Sequence, residues 1–222
     1  VVKAARVLLL LAALLPALLA QKANEDYSTP EKRAGQAVSL SDPNRPERLR
    51  AQAIVDSLHL QPGMHVADIG SGAGIMLPFL SKAVGAPGKV YAEEIFSDFL
   101  DRTKAYAEKQ GLKNVEFILG SERDPNLPEA CCEVAVAVHV YHHFNYPASM
   151  LAGLRRALKP GGRFVVIDYY RRPNAMGPGN MALDHIRLDF DAVVKEIEAN
   201  GFKLAESHDH IAGKQYAATF VR

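Results

Sequence analysis

The chain has 222 residues, long enough for one domain, or one domain with a tail, to bury a core without disulfides or metals. Hydrophobic residues make up 48% and charged residues 23%, which excludes a chain disordered along its whole length. The net charge is +1, and without Lys3 and Arg6 the balance is 24 basic against 25 acidic residues. So even a balance leaves no footprint for a phosphate backbone, and no nucleic-acid partner is expected.

Lys3 and Arg6 precede the uncharged run Val7–Ala20, mostly Leu and Ala. Its fourteen residues fall short of the roughly 20 needed by a bilayer-spanning helix. A basic start, a short apolar middle and a small residue ahead of a polar stretch read as a signal peptide cleaved after Ala20. Leu18 departs from the small-x-small pattern and leaves an uncleaved anchor open. Residues 1–20 are therefore expected to direct export, to the periplasm or outside the cell, or to anchor the chain, as its only membrane contact. Residues 21–43 are polar without a sustained period and read as a linker or flexible arm, with the folded domain over 44–222.

From Arg45 to Leu60, Leu49, Ala53, Ile54 and Leu58 recur at helical spacing, and Pro62-Gly63 breaks the pattern. Strand-like runs then follow at His65–Gly70, Lys89–Ile95, Val115–Gly120, Glu133–Val140 and Arg163–Tyr170. Helical patterns lie between them at Ile75–Val84, Phe99–Gly111 and Ser149–Leu158. Residues 171–184, rich in Pro, Gly, Asn and Met, read as a loop, and Ile186–Asn200 as a helix. Phe202–Ile211 and Gln215–Val221 follow with no helix between them, which predicts an antiparallel pair at a sheet edge. Strands alternating with helices of this length imply an α/β fold with a mostly parallel sheet. Cys131 and Cys132 are adjacent, about 3.8 Å apart at Cα, too close for an unstrained disulfide, and read as free thiols.

The first strand runs into Asp68-Ile69-Gly70-Ser71-Gly72-Ala73-Gly74, where glycines let the backbone turn tightly against a ligand. Ligands of open α/β sheets bind outside the carboxyl ends of the strands. A nicotinamide-dinucleotide fingerprint would place glycine at position 75, and Ile75 stands there. The second strand ends in Glu93-Glu94, and a carboxylate there can accept both hydroxyls of a ribose. Glu93 is expected to face solvent or the sheet edge.

The loop with Asp68 ahead of it resembles motif I of class I S-adenosylmethionine-dependent methyltransferases. Val90-Tyr91-Ala92-Glu93-Glu94-Ile95 resembles the family's second-strand motif, His139-Val140-Tyr141-His142-His143-Phe144 its segment after the fourth strand, and Leu158-Lys159-Pro160-Gly161-Gly162-Arg163 its turn before the fifth. The motifs stand in family order over about residues 45–222. The resemblance implies a Rossmann-like, doubly wound seven-stranded sheet of order 3-2-1-4-5-7-6 with the last strand antiparallel, and S-adenosyl-L-methionine as cofactor. It implies that Gly70, Ser71, Gly72 and Gly74 pack beside the cofactor, that Asp68 anchors the loop or reaches the cofactor's amino group, and that Glu94 holds the ribose. The family often has Gly-Asp-Ala after the third strand; Gly120-Ser121-Glu122 lacks that Asp, so the adenine contact would fall to Ser121, Glu122 or the backbone.

The expected reaction is methyl transfer, and the short span between strands five and six favours a small-molecule acceptor. Candidate catalytic residues are His142 as a base, then Tyr141 and Asp168, with His139 nearer the cofactor. His185 lies beyond the following loop. Three histidines within five residues have no fixed acid or cysteine beside them, and no metal site is expected. Fold does not fix function, and a non-catalytic binding protein that keeps the fold stays open as the alternative.

Overall fold

The computed structural model describes residues 23–222, so the apolar leader and its expected role lie outside the described residues. Among them no helix is long and apolar enough to cross a membrane.

Seven strands form one sheet: β1 (His65–Ile69), β2 (Lys89–Glu94), β3 (Val115–Leu119), β4 (Cys132–Val138), β5 (Leu158–Tyr169), β6 (Lys203–Ile211) and β7 (Gln215–Val221). Their order is β3-β2-β1-β4-β5-β7-β6, with β7 antiparallel to both neighbours and the other pairings parallel, as expected. The chain reverses direction of layout between β1 and β4, and ligands of such sheets collect at that switch point.

The helices are α1 (Pro30–Leu40), α2 (Arg45–Arg48), α3 (Ala51–Ser57), α4 (Leu77–Val84), α5 (Ser97–Lys109), α6 (Pro147–Ala157), α7 (Met181–His185) and α8 (Phe190–Ala199). Apolar faces of α3 and α4 pack on one side of the sheet through Ile54, Leu58, Leu77 and Leu80. On the other side Leu151, Leu154, Val193 and Ile197 pack against Phe164 and Phe220. The central strands are covered on both faces, which is why β1 and β4 read as continuous apolar runs. Cys131 and Cys132 are free and buried.

Three local expectations change. The helix expected over Arg45–Leu60 breaks where Arg50 takes a left-handed conformation (φ 52°) between α2 and α3. The helix expected from Ile186 starts only at Phe190, because the Asp189 side chain caps it by accepting from the Ala192 amide. The loop over 171–184 contains the start of α7.

The larger change concerns residues 21–43, read above as a linker or flexible arm. Residues 25–27 form a 3-10 turn and Pro30–Leu40 form α1, entered through Thr29, whose hydroxyl accepts from the Lys32 amide, with Pro30 at the first helical position. The arm docks on the sheet's ligand end. Arg33 Nε donates to both oxygens of Asp98, at 3.0 and 2.9 Å, and Tyr27 stacks on Phe96. Asn24 donates to the His143 carbonyl and the Asn145 side chain.

The glycine loop after β1 is tied to α5 by one side chain. The Thr103 hydroxyl, fully buried, lies 2.7 Å from the Gly72 carbonyl and 3.0 Å from that of Phe99. Thr103→Val keeps the shape but orphans the Gly72 carbonyl, a loss of about 1–3 kcal/mol. Denaturant unfolding of the two proteins is expected to show that difference with an unchanged slope; equal stability would mean the loop is held by other contacts.

Candidate active site

At the carboxyl ends of β1, β2 and β4 lies a cavity of about 890 Å³, lined by the glycine loop, the arm, and the segments after β2, β4 and β5. That is near the upper end of the roughly 300–1,000 Å³ found for small-molecule pockets.

Its floor is acidic. Gly70, Gly72 and Gly74 all have positive φ (65°, 58° and 76°), which brings successive loop amides round to face β2. The Gly70 amide donates to Glu93 Oε2 at 3.1 Å, the Ser71 amide to the Glu93 carbonyl at 2.8 Å, and the Gly72 amide to Glu94 Oε2 at 3.0 Å. Glu94 Oε1 accepts from the amides of Ile95 and Phe96. Ser71 donates its hydroxyl to the Asp68 carbonyl. Glu93 is thus buried at the loop's base, not turned to solvent or the sheet edge as expected. A strand covered on both faces has no solvent side. Room for its carboxylate exists because position 120 is glycine; a Cβ there would collide with Glu93 Oε1.

Asp68 Oδ2 and Glu93 Oε1 are buried without a hydrogen-bond partner among the described residues, while both residues line the cavity. Burial pushes the Asp68 carboxyl up to about 7 and holds Glu93 well above, and Glu94 above, the ordinary carboxylate range. Such orphaned acceptors suit a ligand that brings hydroxyl and ammonium donors.

Gly74 is not in the cavity wall; it makes room for Thr103 and Leu77. Ser121 is also outside the wall: its hydroxyl accepts from the amides of Arg123 and Asp124 and caps the turn after β3, whereas Glu122 lines the cavity. His139 lines it with φ 57°, its ring 4.2 Å from that of Tyr169 and its Nε2 without a partner. Burial lowers its pKa to about 4, so the ring is neutral.

The opposite end of the cavity is imidazole. His142 Nδ1 lies 2.7 Å from Asp168 Oδ1, and the His142 amide donates to Oδ2. Asp168 also accepts from the Tyr169 amide and is itself outside the cavity wall, so it positions His142 instead of meeting a substrate. Tyr141 is misplaced for catalysis: its ring is buried in the core and its hydroxyl donates to Glu196 at 2.7 Å, in a pair that Arg187 completes. His143 Nδ1 lies 2.8 Å from Asn24 Oδ1, and His185, brought in by α7, places its ring 5.1 Å from that of His142. Burial and the neighbouring imidazoles hold His143 well below the usual histidine range and His185 below it. Arg45 stands in the same wall with no ion-pair partner among the described residues.

Sequence reasoning missed the arm, Glu93 and the convergence of His185 on His142. The Thr29-Pro30 helix start was a readable signal for the arm; nothing local marks His185.

Fold and site together define a Rossmann-like α/β domain that binds a nucleoside cofactor at its strand ends. A family model described as "Methyltransferase domain" matches residues 67–166. The solved structure of a SAM dependent methyltransferase from Aquifex aeolicus is 28% identical, with a TM-score of 0.75, covering 84% of this chain and 96% of that one. The uncharacterized methyltransferase YcgJ of Bacillus subtilis is 28% identical over 109 residues, 47% of this chain and 40% of that protein. The ubiquinone/menaquinone biosynthesis C-methyltransferase UbiE of Burkholderia cenocepacia is 26% identical over 111 residues, 50% of this chain and 45% of that protein. The match thus spans less than half the length of these curated relatives. The family-model match over residues 67–166 and the similarity to a solved SAM dependent methyltransferase support a class I S-adenosylmethionine-dependent methyltransferase domain, with S-adenosylmethionine as its cofactor.

The buried Asp68 gives a stability signature. With its folded pKa raised from 3.8 to about 7, the stability of the ligand-free protein is full below the unfolded value and is lost as pH rises towards 7. The slope is at most about 1.4 kcal/mol per pH unit for one proton. Melting temperatures of wild type and Asp68→Asn from pH 4 to 8 should diverge, with the variant flatter; parallel curves would place Asp68 in contact with water.

Proposed function

We propose that the protein transfers a methyl group from S-adenosylmethionine to a small molecule whose nucleophile meets the imidazole end of the cavity. One observation carries this reading: a single cavity joins orphaned carboxylates at one end to His142 at the other. In this reading Glu94 accepts from the ribose hydroxyls, Asp68 faces the cofactor's ammonium group, and Glu122 stands nearest the adenine. The bound cofactor supplies a methyl group already activated by its sulfonium. His142 Nε2 takes the acceptor's proton as its nucleophile loses it, and Asp168 stabilises the imidazolium and fixes the ring. The arm, Met176 and Met181 line the cavity and give it apolar surface for the acceptor. Arg45, without an ion-pair partner among the described residues, favours an acceptor that carries an anionic or acidic oxygen. The cavity's size supports a small acceptor over a macromolecule, and the matched C-methyltransferase of quinone biosynthesis is consistent with that class.

The two ends should separate in kinetics. Glu94→Ala is expected to weaken S-adenosylmethionine and its demethylated product alike, at least tenfold, or about 1.4 kcal/mol. His142→Ala should lower turnover by roughly 10²–10⁴ with cofactor affinity within about twofold. Calorimetry for the first and release of demethylated product for the second check this; full turnover in His142→Ala would remove the base assignment.

A further inference from the structure

One ring nitrogen from each of His142, His143 and His185 lies within 4.8 Å of the other two, a group gathered from two separate segments. We propose that these three imidazoles bind a divalent transition-metal ion, with an open coordination position facing the cavity for an oxygen of the acceptor.

The hydrogen bonds around the cluster prepare it for a metal. Nδ1 of His142 is engaged by the Asp168 carboxylate and Nδ1 of His143 by the Asn24 side-chain oxygen. Each acceptor holds the proton on Nδ1 and leaves the lone pair on Nε2, where no hydrogen-bond partner exists among the described residues. A histidine whose far nitrogen donates to a carboxylate or amide oxygen is the usual supporting arrangement for a metal ligand.

The distances fit with small movement. Three points no more than 4.8 Å apart lie within about 2.8 Å of a common centre. A zinc–imidazole bond is about 2.0–2.1 Å, so each ring closes by roughly 0.7 Å. Nitrogen donors alone select zinc, cobalt, nickel, copper or iron over magnesium or calcium. Three protein ligands with a free fourth position is the arrangement of reactive sites, not of closed structural ones. All three residues line the cavity, and the Asp26 carboxylate in the same wall adds negative charge that favours a cation.

An ion there goes beyond the methyl-transfer reading and stands without it. With an ion bound, His142 Nε2 is a ligand and no longer the base; the ion would lower the pKa of the acceptor oxygen bound to it, whose proton then passes to solvent water before methyl transfer.

The test uses the full chain without a polyhistidine tag, stripped by a chelator and titrated with Co²⁺ alone. The expected result is one saturable ion per chain with visible absorption of a nitrogen-ligated Co²⁺, lost on adding Zn²⁺. His185→Ala, whose folding is checked by its melting temperature, should bind Co²⁺ at least tenfold more weakly, and Asp168→Asn about 10–100-fold more weakly. No saturable absorption, or an affinity unchanged in His185→Ala, overturns the site. Co²⁺ binding without S-adenosylmethionine binding would sustain the site and sink the methyl-transfer reading; the converse would do the reverse.

Discussion

Three carboxylates are buried at the ends of two adjacent strands with no ion-pair partner among the described residues, and the architecture of the active end follows from that constraint. Asp68 closes β1, and Glu93 and Glu94 close β2. Burying such groups unpaired would be costly, and the positive-φ glycine loop offsets part of that cost by turning amides onto Glu93 and Glu94. The satisfaction is incomplete: one oxygen of Asp68 and one of Glu93 stay without partners. The raised pKa values express the same imbalance. A free protein that keeps such acceptors orphaned holds binding energy in reserve for a ligand that supplies donors.

The remaining parts build on that floor. The N-terminal arm closes one side of the cavity through the Arg33–Asp98 pair and the Tyr27–Phe96 stack, and reaches the far end through Asn24. The two short segments after β4 and β5 then bring the imidazoles together. Asp168, at the end of β5, is anchored by backbone amides and spends its charge on His142. The cavity is thereby polarised, with carboxyl groups at the strand ends of β1 and β2 and imidazoles beyond β4. In the proposed reading that polarity gives the cofactor and the acceptor distinct places.

Most of the sheet was legible because its strands sit between helices with clear apolar periods and glycine stops, and because β6 and β7 follow each other directly. The location of the glycine loop and of Glu94 at the strand ends could be read for the same reason, since it depends on positions within a few residues of a strand. What failed depends on contacts distant in sequence. Glu93 is a charged residue near a strand end, which by itself suggests exposure, yet both faces of β2 are covered. Tyr141 is adjacent to His142 but turns into the core because Glu196 and Arg187, more than forty residues on, take its hydroxyl and ring. His185 approaches His142 only through the course of residues 171–184, which carry no periodic pattern. The arm was misread because its polar composition outweighed a capped helix start at Thr29-Pro30.

The central claim is that this cavity moves a methyl group to a small molecule. Incubation of the full chain with S-adenosylmethionine labelled on its methyl group and a metabolite extract, followed by size separation, tests it directly. The account predicts label in a low-molecular-mass product, with one demethylated cofactor formed per methyl transferred. Cofactor that binds yet keeps all its label, or label found only on macromolecules, would contradict it.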